Sequence, residues 1–155
     1  MKNKIIKYTL AIVLSLSLGI LSGFSTVSEI QNWYFTINKP SWNPPSWLFG
    51  PVWSVLYALI GFSFALVWTS QTANKNRAYI FFFIQFGLNL LWSFIFFKMH
   101  AIGFALIEII VMWLFIILTI NEFKKHSKAA AILLIPYLVW VSFAGVLTAS
   151  IFYLN

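Results

Sequence analysis

Five apolar runs, each about long enough to cross a bilayer, fill most of this 155-residue chain, and the charged residues sit in the gaps between them. A hydrocarbon core about 30 Å thick needs roughly 20 apolar residues in a helix. Such a segment must satisfy its own backbone hydrogen bonds, because no water is there to do so. Only 8% of the residues are charged, against about 25% in soluble domains. The chain therefore reads as an all-α membrane protein, one domain over residues 1–155 folded as a five-transmembrane-helix bundle. Helices are expected over 5–25, 46–70, 78–97, 101–121 and 129–153, with a lid loop over 26–45.

The net charge of +7 is spread over the gaps instead of forming a basic stripe, a topological pattern that argues against nucleic acid as a partner. Lys2, Lys4, Lys7, Lys75, Arg77, Lys124, Lys125 and Lys128 fall on one side of the membrane and only Lys39 and Lys98 on the other. The positive-inside rule then puts the N-terminus in the cytoplasm and the C-terminus outside. The charge-then-hydrophobe order at the start also describes a signal peptide, but no small-residue cleavage site follows, and the first helix is read as retained. Cysteine and aspartate are absent. Glu29, Glu108, Glu122, His100 and His126 are left for chemistry, so neither a metal site nor a cofactor is expected.

The stretch KPSWNPPSWLFGPVWSVLY, Lys39 to Tyr57, sets Pro40, Pro44, Pro45 and Pro51 among Trp42, Trp47 and Trp53. Prolines restrict both themselves and the residues before them, which predicts a stiff turn. Pro51 falls where a missing N–H costs least. Beyond it Trp53, Tyr57, Gly61, Phe64 and Trp68 share one helical face. In the third run Gln85, Asn89 and Ser93 form a polar stripe that should face the bundle interior, with Trp92 and Phe96 beside it. Glu108 is a lone carboxyl early in the fourth run, read equally as functional or as a structural hydrogen-bonding group. Pro136 should bend the fifth, and Tyr137, Trp140, Ala144 and Thr148 line one face after it. Ser15, Gly19 and Gly23 recur every four residues and read as a face for close helix packing.

A rise of 1.5 Å per residue converts position into depth and puts Trp53 roughly 10 Å below the outer end of its span. Trp92, Phe104, Glu108, Trp140, Ala144 and Thr148 fall in the same outer half, beneath the proline-rich loop. Aromatic walls with a few polar groups such as Asn89 or Gln85 suit a flat hydrophobic ligand. Lys39 to Trp47 then reads as lid and interfacial belt, and Pro51 to Tyr57 as cavity wall. The competing reading is that each tryptophan packs the core or faces lipid.

Three blocks carry a resemblance: WYFTINKPSWNPPSWLFGPVWSVLY at Trp33 to Tyr57, NLLWSFIFF at Asn89 to Phe97 and PYLVWVSFAGVL at Pro136 to Leu147. In these the chain resembles the TspO/MBR family of tryptophan-rich sensory and translocator proteins, also called peripheral benzodiazepine receptors. The resemblance implies a commonly homodimeric five-helix bundle in the lipid bilayer that binds porphyrins such as protoporphyrin IX, sterols and benzodiazepine-type ligands. By motif, the pocket would include Tyr34, Trp53, Asn89, Trp92, Phe97, Trp140 and Ala144, joined by Tyr57, Phe104 and Glu108 on the depth argument. Some members are linked to light-dependent porphyrin breakdown, whose tryptophans map to Trp53 and Trp140. The animal members' sterol pattern needs a basic residue after its Tyr, and Tyr153 is followed only by Leu154 and Asn155. High-affinity sterol binding is thus not expected, and a bacterial plasma membrane is the expected location. Three functions compete: a tetrapyrrole sensor or transporter, a porphyrin-degrading catalyst, and a structural helix-assembly protein.

Overall fold

A computed structural model describes residues 2–155; the side chain of Lys2, counted above among the positive charges, lies outside the described residues. The chain runs through α1 (Lys2–Gln31), the short α2 (Trp33–Thr36), a 3₁₀ turn (Ser46–Leu48) leading into α3 (Phe49–Thr69), and α4 (Asn76–Ser93). A π-helical turn (Phe94–Lys98) continues α4, and α5 (Ile102–His126), α6 (Lys128–Leu133) and α7 (Ile135–Leu154) follow. Asn3–Phe24, Ser46–Thr69, Asn76–Lys98, Ile102–His126 and Lys128–Leu154 are each long and apolar enough to cross a membrane. Large apolar side chains such as Leu14, Ile80, Ile107, Val139 and Val146 are exposed on the outside of the bundle, as a lipid-facing surface requires.

The helix ends depart from the sequence expectation in three places. Thr26 to Gln31 continue α1, because no Gly or Pro interrupts them, and the irregular part of the loop shrinks to 37–45. Glu122 to His126 also stay helical, as their side chains favour. The turn after them is Ser127 alone, extended and with its Oγ accepting from the Ala130 N–H at 3.2 Å. The fifth span is divided at Leu134, since Pro136 has no N–H to offer the preceding turn. The Leu134 N–H instead bonds the Ala131 carbonyl at 3.3 Å.

The helices close a ring in which α1 lies on α3, α3 meets α6, α7 packs on α5, α5 on α4, and α4 returns to α1. Small side chains set the closest approaches. A Cβ on Gly61 would lie 2.6 Å from the Ala11 carbonyl oxygen, so only glycine lets α1 and α3 touch backbone to backbone. Hydroxyls then tie helix to helix: Ser15 Oγ donates to the Tyr57 carbonyl at 2.8 Å, Ser22 to Leu90 at 2.9 Å and Ser63 to Ala130 at 2.8 Å.

Among the described residues, each end of the bundle carries one ion cluster. At the basic end Glu122 meets Lys125 at 2.8 Å and Arg77 at 3.3 Å. Nearby, Lys75 Nζ caps the end of α3 by donating to the Ser70 and Trp68 carbonyls. Burial and the neighbouring Lys7 ammonium both lower the Lys75 pKa. At the loop end Glu29 meets His100 at 3.1 Å, and the imidazole stacks on Trp33 with centroids 4.3 Å apart.

Candidate ligand cavity

A cavity of about 570 Å³ opens in the loop-end half of the bundle, within the size range of small-molecule sites, roughly 300–1,000 Å³. One wall is α1, through Gly19, Gly23, Thr26 and Val27; Trp47 and Phe49 lead into a second wall at Trp53 and Tyr57. Trp92, Phe96 and Phe97 form the third, and Trp140, Ala144, Leu147 and Thr148 of α7 form the fourth. Tyr34 closes the loop side.

Local sequence explains how these rings come to face one space. Trp53 and Tyr57 are one turn apart and lie 5.5 Å centroid to centroid. Trp92 stacks on Phe96 at 4.9 Å, 12° from parallel, and meets Phe97 edge-on at 6.0 Å. The π-helical turn, closed by the Met99 N–H on the Phe94 carbonyl at 3.0 Å, lets the consecutive Phe96 and Phe97 both turn inward. Tyr34 is fixed by donating to Asn43 Oδ1 at 2.6 Å, while Lys39 Nζ donates to the Tyr34 and Ile37 carbonyls at 2.6 and 2.7 Å. The proline-rich loop is thus held by hydrogen bonds as well as by ring constraint. Burial pushes the Tyr34 phenol up to about 12, with the Asn43 hydrogen bond pulling the other way.

Three lining residues carry buried polar atoms with no partner: the indole Nε1 of Trp92, the indole Nε1 of Trp140 and Oγ1 of Thr26. An indole N–H can only donate, and leaving one unpaired away from water costs about 1–3 kcal/mol. None of these atoms has surface open to the cavity, so the indoles present it with ring surface instead of free donors.

Of the residues singled out from the sequence, Tyr34, Trp53, Tyr57, Trp92, Phe97, Trp140 and Ala144 line this space. Asn89 does not: it is buried behind Tyr57, whose hydroxyl donates to Asn89 Oδ1 at 2.5 Å. Glu108 is also buried outside the lining, on α5, which contributes no wall. Phe104 is 72% exposed on the outer side of α5, because its neighbour Ala105 takes the inward position. Trp42 lies outside the cavity against Phe143, whereas Trp47 lines it, so the wall begins earlier than Pro51.

The TspO/MBR family pattern matches residues 11–154, a span that contains every lining residue from Leu16 to Ile151. The chain belongs to the TspO/MBR family. As a family member it is 41% identical to the tryptophan-rich protein TspO of Archaeoglobus fulgidus, over 97% of this chain and 98% of that one. It is 42% identical to the protein of the same name from Chlorobaculum tepidum, over 100% and 99%. With the human translocator protein it shares 36% identity over 84% of this chain and 80% of that protein. The TspO/MBR assignment therefore covers the cavity from all four walls.

The part of the site that sequence reasoning missed is the α1 wall. Gly19 and Gly23 were legible as small residues at helical spacing, but the two do different things. A Cβ on Gly19 would run into the Tyr57 ring, whereas one on Gly23 would meet nothing within 4 Å.

Proposed function

We propose that this integral membrane protein binds flat, largely apolar ring systems, with tetrapyrroles such as protoporphyrin IX foremost and benzodiazepine-type ligands in the same class. It would act as a membrane sensor or carrier for them. The observation that carries this reading is an aromatic cavity of about 570 Å³ with Trp53, Tyr57, Trp92, Phe96, Phe97 and Trp140 in its walls. Stacking on the rings supplies affinity. The basic end of the bundle would face the cytoplasm and the cavity end the outside, following the positive-inside rule.

Titration of the purified protein with protoporphyrin IX, heme and a sterol in parallel, followed by tryptophan fluorescence, tests the reading. Saturable quenching by the porphyrins, weakened by Trp53→Phe with Trp140→Phe, is expected. Absence of saturation, or no effect of the double substitution, overturns it.

A second reading, light-dependent porphyrin breakdown, draws on Trp53 and Trp140 lining the same cavity. Any such chemistry would pass through the photoexcited ligand and these indoles. Product formed in the dark, or surviving loss of both indoles, would exclude that route.

A further inference from the structure

The chain holds three glutamates and no aspartate. Glu29 and Glu122 each face cations at the ends of the bundle. Glu108 is only 8% exposed, and neither of its carboxyl oxygens has a partner. Two amide nitrogens share that condition, Asn89 Nδ2 and Gln85 Nε2, both on α4. Donors and acceptors have thus been left over in one bundle core, where each unpaired group is costly.

The helix register brings them to one level. The Tyr137 hydroxyl donates to Gln85 Oε1 at 2.9 Å and lies 3.7 Å from Met112 Sδ, which fixes Gln85 of α4 level with Met112 of α5. These two helices are packed neighbours joined by a short turn, so they run antiparallel. One turn toward the loop end from Gln85 is Asn89, and one turn the same way from Met112 is Glu108. The unpartnered amide nitrogen of Asn89 and the unpartnered carboxyl of Glu108 therefore stand at the same height. Asn89 is tied to the cavity as well, since its Oδ1 accepts from Tyr57, a wall residue. A bond accepted at Oδ1 polarises the amide and strengthens donation from Nδ2.

We propose that Tyr57, Asn89 and Glu108 form a polar relay from the cavity wall to α5, in which Asn89 and Glu108 are positioning residues that set the Tyr57 ring and sense its displacement. The relay rests on the reading that a ligand occupies the cavity. A ring stacked on Trp53 and Tyr57 shifts the phenol, Asn89 loses or turns its amide, and the surroundings of Glu108 change. The last link, from Asn89 Nδ2 to the carboxyl, is made by a side-chain rotation.

Isotope-edited infrared spectroscopy on protein carrying carbon-13 glutamate tests this, because only three side chains contribute. Glu108→Gln identifies the Glu108 band. If that variant does not fold, Glu29→Gln with Glu122→Gln leaves Glu108 as the only labelled carboxyl. In ligand-free protein, Tyr57→Phe should shift the Glu108 band relative to wild type, and an unchanged band overturns the relay. On adding protoporphyrin IX, the wild-type band should shift again. At saturating protoporphyrin IX, Tyr57→Phe should lose that shift. A ligand-induced shift that survives Tyr57→Phe also overturns the relay. Failure of tryptophan quenching would instead sink the ligand reading, and the ligand-free comparison would still decide the relay.

Discussion

Asn155 grips Asn38 at both of its backbone poles: its side-chain amide donates to the Asn38 carbonyl and its amide oxygen accepts from the Asn38 N–H, each at 2.9 Å. This pair joins the end of α7 to the start of the irregular loop. Asn155→Ala should therefore raise amide exchange over residues 37–45, with Asn38 itself most affected, at a cost of about 1–2 kcal/mol in local opening. Hydrogen exchange resolved by residue is the measurement, and unchanged exchange at Asn38 would show that the loop is held without this grip.

Glycines on the α1–α3 contact should differ sharply. Gly61→Ala puts a Cβ into the backbone of Ala11 and Ile12, where nothing can rotate away. A loss of about 1–3 kcal/mol or more is expected in thermal unfolding. Gly23→Ala meets open space and should be neutral or gain up to about 1 kcal/mol from helix propensity. Gly19→Ala strikes the Tyr57 ring, so its effect should appear in ligand affinity as well as in melting.

Trp53→Phe should weaken porphyrin binding by about tenfold, equivalent to about 1.4 kcal/mol. Trp42→Phe should change it by less than about twofold, within the range of substitutions away from a site. Trp53 lines the cavity, and Trp42 packs on Phe143 outside it. Fluorescence titration of the two variants side by side decides the order; a reversal would move the site into the loop.

Alkaline stability should report on Tyr34. Its folded pKa is raised to about 12, above the ordinary value near 10, so the folded state holds the phenol proton more tightly than the unfolded state does. The corresponding stability is fully present below pH 10 and is lost as pH rises from 10 to 12. Tyr34→Phe should flatten that part of the decline while lowering stability at neutral pH through loss of the Asn43 hydrogen bond. Unfolding midpoints measured from pH 8 to 12 in both proteins give the comparison.

The number and order of the membrane helices were legible because apolar length is itself the constraint. Depth was legible too, since rise per residue is fixed, and it brought Trp53, Trp92 and Trp140 to one level. Azimuth was not. Phe104 has the right height and points outward, because one residue along a helix turns the side chain by about 100°, and the packing of Ala105 decides which way α5 faces. Polar residues misled at two helix ends: Thr26 to Gln31 and Glu122 to His126 look like loops by composition, yet contain nothing that breaks a helix. Asn89 could be assigned to the interior from its stripe, but its placement behind the Tyr57 ring depends on how α3 and α4 meet.

The π-helical turn at Phe94–Lys98 has a consequence for chain length. A π turn accommodates one more residue than an α turn, and that surplus lets Phe96 and Phe97, adjacent in sequence, both reach the interior at 2% and 8% exposure. Deleting one residue there would let the segment close as ordinary α-helix and leave everything beyond it in place, since the π turn already absorbs the surplus, but only one of the two rings could then face the interior. The count of residues in this short stretch therefore shapes the third wall as much as the identity of its rings.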